Sequence, residues 1–277
     1  MLCIAGTILF AGLRNYSYFC NSIRKSFNMK YYRILSLLSV MLLLCVTVDA
    51  QKLTLVKKHP AIGEQWESRF GLTGRNKPAG FYYRLRDESR VPNLMRSETT
   101  EQMQLIISEN TNFGAFGLFR NSMNEETYAF VLALYNKEGK LAKEYDLCRI
   151  TGEYMLELQD IRYEKGRFYF NMACPTYSDN FDGRCSRMYC IDGRTGKLVW
   201  QTDFLTSNDI IAVEDDYIVS TYGFSNEKDF VFLLDKNTGD VLSRMSLDRK
   251  AQYIEVKDSQ LFVIDAAQNV YVFNVEM

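Results

Sequence analysis

His59 is the only histidine in this sequence of 277 residues, so any catalytic or metal-binding role of a histidine would depend on it. A Ser-His-Asp or Cys-His arrangement would have to use this residue, and its place beside Pro60 favours an exposed loop histidine. Metal sites with several histidines are excluded by count. A pair of carboxylates is still available, as in glycosidases, but candidates such as Glu214, Asp215 and Asp216 stand in a turn where acidic residues are commonly solvated. The sequence therefore assigns no catalytic residue.

A calcium site is the one metal site that the sequence suggests. Residues 178–183 read Ser-Asp-Asn-Phe-Asp-Gly and place the oxygen donors Asp179, Asn180 and Asp182 close together. Calcium accepts such ligands from flexible loops, but the spacing departs from an EF-hand loop and the closing bidentate Glu is missing. The favoured interpretation is a loop rich in turn residues, with no metal.

Aromatic residues outside the regular strands are the candidates for recognition. They lie in two irregular segments, Gly80 to Arg90 and Pro175 to Arg184, and are Phe81, Tyr82, Tyr83, Tyr177 and Phe181. Exposed aromatic residues are enriched at protein interfaces, and loops on rigid scaffolds carry binding. The alternative is that these rings cover the ends of a core. We predict a partner surface at the two segments.

A repeated hairpin positions these loops. Residues 187–200 form an apolar strand, a tight turn and a second strand that ends at Trp200, and residues 230–242 and 129–145 repeat the pattern. Asx and Thr side chains can bond turn amides, and Gly accepts a positive φ. The turn residues are Asp192, Thr195 and Gly196 in one copy and Asp235, Thr238 and Gly239 in another. The turn glycines Gly139, Gly196 and Gly239 lie 57 and 43 positions apart, which is close to the roughly 40–50-residue period of propeller blades.

Counting strands from Gln102 gives sets of four, four, four and three. Lys52 to Lys57 can supply the missing strand of the last set, so that the two ends of the chain complete one blade and free sheet edges are removed. The sequence thus predicts an all-β propeller of four-stranded antiparallel blades. There are about four blades, or five if residues 60–100 form one, and the rival fold is a β-sandwich.

The best repeat also suggests a family. Asp192-x-x-Thr195-Gly196-Lys197-x-x-Trp200 resembles the tryptophan-docking repeat of the pyrroloquinoline-quinone-like propellers, in which the Trp packs between neighbouring blades. The second copy has Ser243 where the Trp would be. Quinone-dependent dehydrogenases of this superfamily carry cofactor-stacking Trp residues and a vicinal disulfide, whereas this sequence has two Trp and no adjacent cysteines. The resemblance therefore implies a non-catalytic bacterial member without a cofactor.

The N-terminal region carries an export signal. Lys30 and Arg33 precede an apolar run over residues 34–48, and small residues lead to a cleavage site after Ala50, which describes a signal peptide over residues 29–50. A retained membrane anchor is the alternative, although the run is shorter than the roughly 20 residues of a membrane span. Residues 1–28 are interpreted as an upstream extension before Met29. Residues 51–277 are expected to be one propeller domain, with an irregular part over 51–101 and repeats over 102–277.

Export would expose the cysteines to oxidation. Four of them follow residue 50, and Cys174 and Cys185 bracket a polar loop between two predicted antiparallel strands. We favour a disulfide between these two, which would restrain the loop, while Cys190 fits a core strand. Four cysteines allow three connectivities, so the sequence leaves the choice open.

Charge and composition complete the functional prediction. The net charge is -1 and no basic stripe occurs, which argues against nucleic acid. Cys45 lacks the small residue that precedes a lipidated cysteine, so a lipoprotein is disfavoured, and no membrane span is expected after signal cleavage. The favoured function is a secreted or periplasmic, non-enzymatic scaffold that binds an envelope protein or glycan. The alternative is a small envelope hydrolase that acts on carbohydrate with an Asp/Glu pair on the loop face.

Overall fold

Sixteen strands make up most of the described chain. The computed structural model describes residues 52–61, 66–73, 94–121, 127–224 and 226–276, all within the compact unit Gln51–Met277. The strands fall into four antiparallel four-stranded sheets, which are the blades of a β-propeller. The predicted fold class is confirmed.

Three blades follow strand β1 (Lys52–His59) along the chain as simple meanders. Blade 1 consists of β2 (Gln104–Thr111), β3 (Gly114–Arg120), β4 (Phe130–Asn136) and β5 (Leu141–Asp146). Blade 2 consists of β6 (Glu157–Glu164), β7 (Arg167–Ala173), β8 (Arg187–Asp192) and β9 (Leu198–Gln201). Blade 3 consists of β10 (Ile211–Val213), β11 (Tyr217–Tyr222), β12 (Asp229–Asp235) and β13 (Val241–Leu247). The strands before the repeated turns, β4, β8 and β12, are buried along most of their length, as their continuous apolar runs predict.

The fourth blade joins the two ends of the unit. It contains β14 (Ala251–Lys257), β15 (Gln260–Asp265), β16 (Val270–Glu276) and, as its outer strand, β1. β1 pairs antiparallel with β16, with Leu53 opposite Val275 and a bulge between Leu55 and Lys57. The strand predicted to close the last blade therefore does so.

Two short helices were not predicted. Helix α1 spans Trp66–Phe70 between β1 and β2, and helix α2 spans Leu147–Thr151 between blades 1 and 2. Asp146 caps α2 by accepting a hydrogen bond from the Arg149 amide, and Gly152 ends the helix in a left-handed conformation. No helix among the described residues is long and apolar enough to span a membrane.

Apolar clusters pack consecutive blades against each other. Phe116 of blade 1 meets Phe168 of blade 2 edge to face, with ring centroids 5.2 Å apart. One further cluster joins blades 2 and 3, and another joins blades 3 and 4. The burial of these faces is the main driving force for packing the four blades together.

The segment between β1 and β2 covers the two blade faces that remain. Trp66 and Leu72 pack on one face of blade 4, where the Trp66 ring lies 4.5 Å from that of Tyr253. Leu94 and Met103 pack on blade 1, on the face that points away from blade 2. The described parts of this segment thus take the place of a neighbouring blade on both faces, which the irregular sequence did not predict.

The repeated turns hold each blade against the next. In the turn of blade 2, Oδ1 of Asp192 accepts hydrogen bonds from the Thr195 amide and hydroxyl, both at 2.7 Å, and these bonds hold the pKa of the Asp192 carboxyl below its usual value. In the turn of blade 3, Asp235 accepts from the Thr238 amide at 2.9 Å. Trp200 lies between blades 2 and 3, and its Nε1 donates to the Lys236 carbonyl at 3.1 Å. Ser243, at the corresponding place in blade 3, instead accepts a hydrogen bond from the Leu53 amide of β1.

Candidate functional site

The loop over residues 174–185 is the longest described connection within a blade, and it joins β7 to β8. A disulfide between Cys174 and Cys185 closes its base, where the two Cα atoms are 5.3 Å apart and both side chains are fully buried. This is the disulfide that the sequence favoured. Cys148 and Cys190 are free and buried, and burial raises the pKa of each thiol to about 12, so neither is a reactive nucleophile.

The loop is also tied to blade 3. A single 3₁₀ turn spans Ser178–Phe181, and Asp182 and Gly183 follow with positive φ. The Ser178 amide donates to Oε1 of Glu227 at 2.8 Å, and the other oxygen of Glu227 accepts from the Tyr222 hydroxyl. The disulfide and the Glu227 contacts together fix the loop on two blades. We name this end of the propeller the disulfide face, which comprises residues 174–186, 203–210, 223–224 and 226–228.

The predicted binding residues differ in how they are placed. Tyr177 is 40% exposed at the start of the turn, and its ring centroid lies 6.1 Å from that of Phe224. Phe181 is partly buried and packs on the core between blades 1 and 2, so it behaves as a residue that covers the core. Phe81, Tyr82 and Tyr83 lie outside the described residues. The structure therefore brings Tyr177 and Phe224 together on the disulfide face, and the sequence had not singled out Phe224.

Charged groups surround the two rings. The Lys250 ammonium lies 5.3 Å from the centroid of the Phe224 ring and 2.5 Å from the Asp209 carboxylate. A cation held over an aromatic face contributes about 0.5–1 kcal/mol at an exposed site. This arrangement orders Phe224 beside Tyr177 without covering Tyr177 itself.

A cleft of about 540 Å³ opens at the disulfide face, between blade 3 and the connection over residues 203–206 that leads into it. Its walls include the rings of Phe204, Phe230 and Phe232, and its rim carries Asp203 and Arg244. The Arg187 guanidinium lies 3.6 Å from the Phe204 centroid, and that of Arg244 lies 4.7 Å from the Phe230 centroid. An apolar floor with a rim of both charges is typical of the core and rim of a protein interface.

Asp229 is an unpredicted polar group at the base of this face. Asp229 is 7% exposed, and among the described residues its buried Oδ1 has no hydrogen-bond partner. Burial raises the pKa of the Asp229 carboxyl to about 6, and Asp265 and Glu227 act in the same direction, whereas Lys250 and Arg249 oppose them. Sequence reasoning missed Asp229 because its environment is created only when the loops of blades 3 and 4 meet.

The metal and catalytic candidates are not assembled into a recognisable centre. Asn180 donates to the Thr176 hydroxyl at 3.1 Å, and the Asp182 amide donates to the Asp179 carbonyl, so these residues bond within the loop. Across the described ranges, no group of three or more His, Cys, Asp and Glu side chains is placed to hold a metal ion.

The candidate carboxylates and the histidine lie apart from the disulfide face. Glu214 and Asp215 belong to the β10–β11 turn, at the other end of blade 3 from the disulfide face, where Asp215 pairs with Lys165 at 2.5 Å. Burial raises the pKa of Glu214, and the ion pair with Lys165 lowers the pKa of Asp215. His59 ends β1, and its ring packs edge-on against Phe70 at 5.2 Å. Burial lowers the pKa of His59.

Comparison with known proteins identifies no family for this chain. No protein-family model matches the chain, and no curated protein matches it in sequence. The structure is similar to that of the computationally designed Ika4 protein, with 12% identity over 67% of this chain and 99% of that chain and a TM-score of 0.45. It is also similar to the WD40 β-propeller domain of Doa1, with 11% identity, 66% of each chain and a TM-score of 0.38. A third similar structure is the quinohemoprotein alcohol dehydrogenase ADHIIG from Pseudomonas putida HK5, with 15% identity over 74% of this chain, only 36% of that chain and a TM-score of 0.35.

Proposed function

We propose that this protein is an exported, non-enzymatic β-propeller that binds a protein partner in the bacterial cell envelope through the disulfide face. The observation that carries the proposal is the presentation of Tyr177. Tyr177 is 40% exposed, yet the loop that bears it is fixed by the Cys174–Cys185 disulfide and by the Ser178–Glu227 hydrogen bond. A rigid, exposed aromatic side chain loses little conformational entropy on binding, and Tyr is enriched among the residues that dominate interface energies.

The neighbouring surface supports a protein partner over a glycan. The 540 Å³ cleft has aromatic walls, and its rim carries acidic and basic side chains of both signs. Rims of this kind are common at protein interfaces, where charge complementarity selects the partner. The envelope location rests on the signal peptide predicted over residues 29–50, and a disulfide is compatible with an oxidising compartment.

Site-specific photo-cross-linking in the native host tests the proposal. A photoreactive phenylalanine analogue replaces Tyr177 in one variant and Leu198 in a control, which has a similar exposure of 39% on the outer strand β9. We expect one reproducible protein adduct at position 177 and none at 198. The partner identified in this way is then co-purified with ordinary variants that carry no analogue. Tyr177→Ala should recover at least about tenfold less partner, since truncating an interface hot spot costs roughly 2 kcal/mol. Recovery should be unchanged for Leu198→Ala.

Two kinds of result would contradict the proposed function. Adducts of equal yield at positions 177 and 198, or partner recovery that is insensitive to Tyr177→Ala, would show that the disulfide face is not the binding surface. Release of product from a glycan panel by the purified protein, abolished by one Asp or Glu substitution, would instead establish the carbohydrate hydrolase of the alternative prediction.

A further inference from the structure

A second cleft lies between blades 1 and 2, at the end of the propeller opposite the disulfide face. The turns β2–β3, β4–β5, β6–β7 and β8–β9 all meet at this end, because alternate turns of an antiparallel meander share one end of the sheet. The cleft has a volume of about 350 Å³, within the range of about 300–1,000 Å³ of small-molecule sites. Each of the four turns, or the strand next to it, contributes to its lining.

Fixed aromatic and aliphatic groups form its walls. The rings of Phe113 and Tyr163 pack edge to face with centroids 5.1 Å apart, and the Tyr163 hydroxyl donates to Oδ1 of Asn112 at 2.9 Å. Leu134 is almost fully buried and packs in the same apolar cluster as these two rings. The walls are therefore largely preformed, and an apolar ligand would gain contact area without ordering them.

The charged groups of the lining are all cationic. They are Lys143 on β5 and Arg194 in the β8–β9 turn, both exposed, and no Asp or Glu lines the cleft. The Lys143 ammonium donates to the main-chain carbonyl of Arg194, which places it at the mouth. Within the part of the chain that the structure describes, neither cation forms an ion pair. The nearby Asp192 carboxylate is bonded to the amides of its own turn.

We propose that this cleft binds a small organic anion that has an apolar, aromatic or short aliphatic body and one carboxylate. The body would pack against Phe113, Tyr163 and Leu134, and the carboxylate would lie at the mouth between Lys143 and Arg194. A guanidinium can hold a carboxylate through two parallel hydrogen bonds, and the ammonium adds a second charge. The site is independent of the disulfide face, so the protein binds two ligands of different kinds at opposite ends.

Ligand-observed NMR on the protein purified from cells that express the full-length chain tests the site. The probes are 4-phenylbutyrate, its neutral amide and 4-phenylbutylamine, which share the same apolar body. We expect the carboxylate to bind roughly fivefold more tightly than the amide, since partly exposed ion pairs contribute about 0.2–1 kcal/mol each, and the amine to bind more weakly than both. The double variant Lys143→Gln/Arg194→Gln should bind carboxylate and amide equally, whereas Arg149→Gln, which removes an exposed cation that lines neither cleft, should keep the preference.

A steric variant separates the cleft from the rest of the surface. Ala142 is exposed in the lining, so Ala142→Phe should fill the cleft and abolish binding of all three probes. Ala267→Phe, a change of the same size at an exposed turn position in blade 4, should leave binding unchanged. Circular dichroism confirms that each variant is folded. The proposal is overturned if wild-type protein binds no probe, if carboxylate and amide bind equally, or if the preference survives removal of both cations. It is also overturned if Ala142→Phe and Ala267→Phe bind alike.

Discussion

The indole of Trp200 in blade 2 lies directly over Gly239 in the turn of blade 3. A Cβ atom built on Gly239 would lie 2.6 Å from Cε3 of Trp200, so only glycine leaves room for the ring. Gly239 also has a φ of 78°, which side chains rarely adopt. The same contact recurs one blade earlier, where Tyr145 lies over Gly196 and a Cβ atom would be 2.4 Å from its ring. At each of these two junctions, an aromatic side chain of one blade thus packs directly on a turn glycine of the next blade.

Replacing Gly239 should measure this docking contact. Gly139 in blade 1 provides a matched control, because its φ is 74° and a Cβ atom added there would meet nothing within 4 Å. Gly139→Ala should cost about 1–2 kcal/mol for the left-handed backbone alone. Gly239→Ala should cost about 2 kcal/mol more, because the methyl group also displaces Trp200. Urea denaturation of both variants measures the difference, and equal losses would show that the Trp200 contact does not stabilise the junction.

The Cys174–Cys185 disulfide should stabilise the propeller and protect the loop on the disulfide face. The two cysteines are 11 positions apart, and the chain-entropy model gives roughly 2–3 kcal/mol for a loop of this size. The double variant Cys174→Ala/Cys185→Ala should lose this free energy of unfolding and should be cleaved by protease within residues 175–184. Adding a reductant should destabilise the wild-type protein but leave the stability of the double variant unchanged. The control variant Cys148→Ala, which lacks a free thiol and keeps the disulfide, should respond to reductant as the wild type does. A response of the double variant to reductant would contradict the assignment.

Asp229 should make folding less favourable as the pH rises. Its pKa of about 6 in the folded protein lies above the ordinary value of 3.8, so the folded state binds a proton more strongly than the unfolded chain. The associated stability is fully present below about pH 4 and is lost as the pH rises through about 6. Asp229→Asn should therefore be more stable than wild type at pH 8, by at most about 3 kcal/mol, and the difference should vanish near pH 4. Urea denaturation at several pH values measures both limits.

Asp215→Asn is the matched control for Asp229. Asp215 is exposed and its pKa is lowered by the ion pair with Lys165, so its contribution to stability has the opposite pH dependence. Removing that carboxylate should destabilise the protein slightly at neutral pH and not at acid pH. If Asp229→Asn behaved in the same way, burial of the Asp229 carboxylate would not destabilise the folded protein at neutral pH.

Local chemistry explains what the sequence predicted. The Asx-Thr-Gly turns were recognised because the bonds from Asp192 and Asp235 are made within a few residues, and the closing strand was recognised because one blade lacked a strand. The docking aromatic of blade 1 was missed, although a signal was present. The position that corresponds to Trp200 is Lys143, and Tyr145, two residues further on, lies on the same face of β5.

Features made by distant parts of the chain left no such signal. The cleft between blades 1 and 2 takes its lining from Phe113, Leu134, Tyr163 and Arg194, which four different hairpins bring together. Phe224 contacts Tyr177 on one side and Lys250 on the other only after blades 2, 3 and 4 have assembled. Neither group of residues can be recognised from spacing along the sequence. Residues of neighbouring blades come into contact only through the packing of one blade on the next.

Closure by β1 should carry much of the stability of blade 4. Leu53 and Leu55 stand two positions apart on this strand, yet Leu53 is 4% exposed in the cluster between blades 3 and 4, whereas Leu55 is 42% exposed. Leu53→Ala should cost about 2–4 kcal/mol because it leaves a cavity, and Leu55→Ala should change stability by less than about 0.5 kcal/mol. Amide hydrogen exchange should speed up at Val272 and Phe273 of β16 in Leu53→Ala only, because loosening β1 exposes its partner strand. Equal effects of the two substitutions, or unchanged exchange in β16, would mean that blade 4 is held by its own three strands and that pairing with β1 adds little.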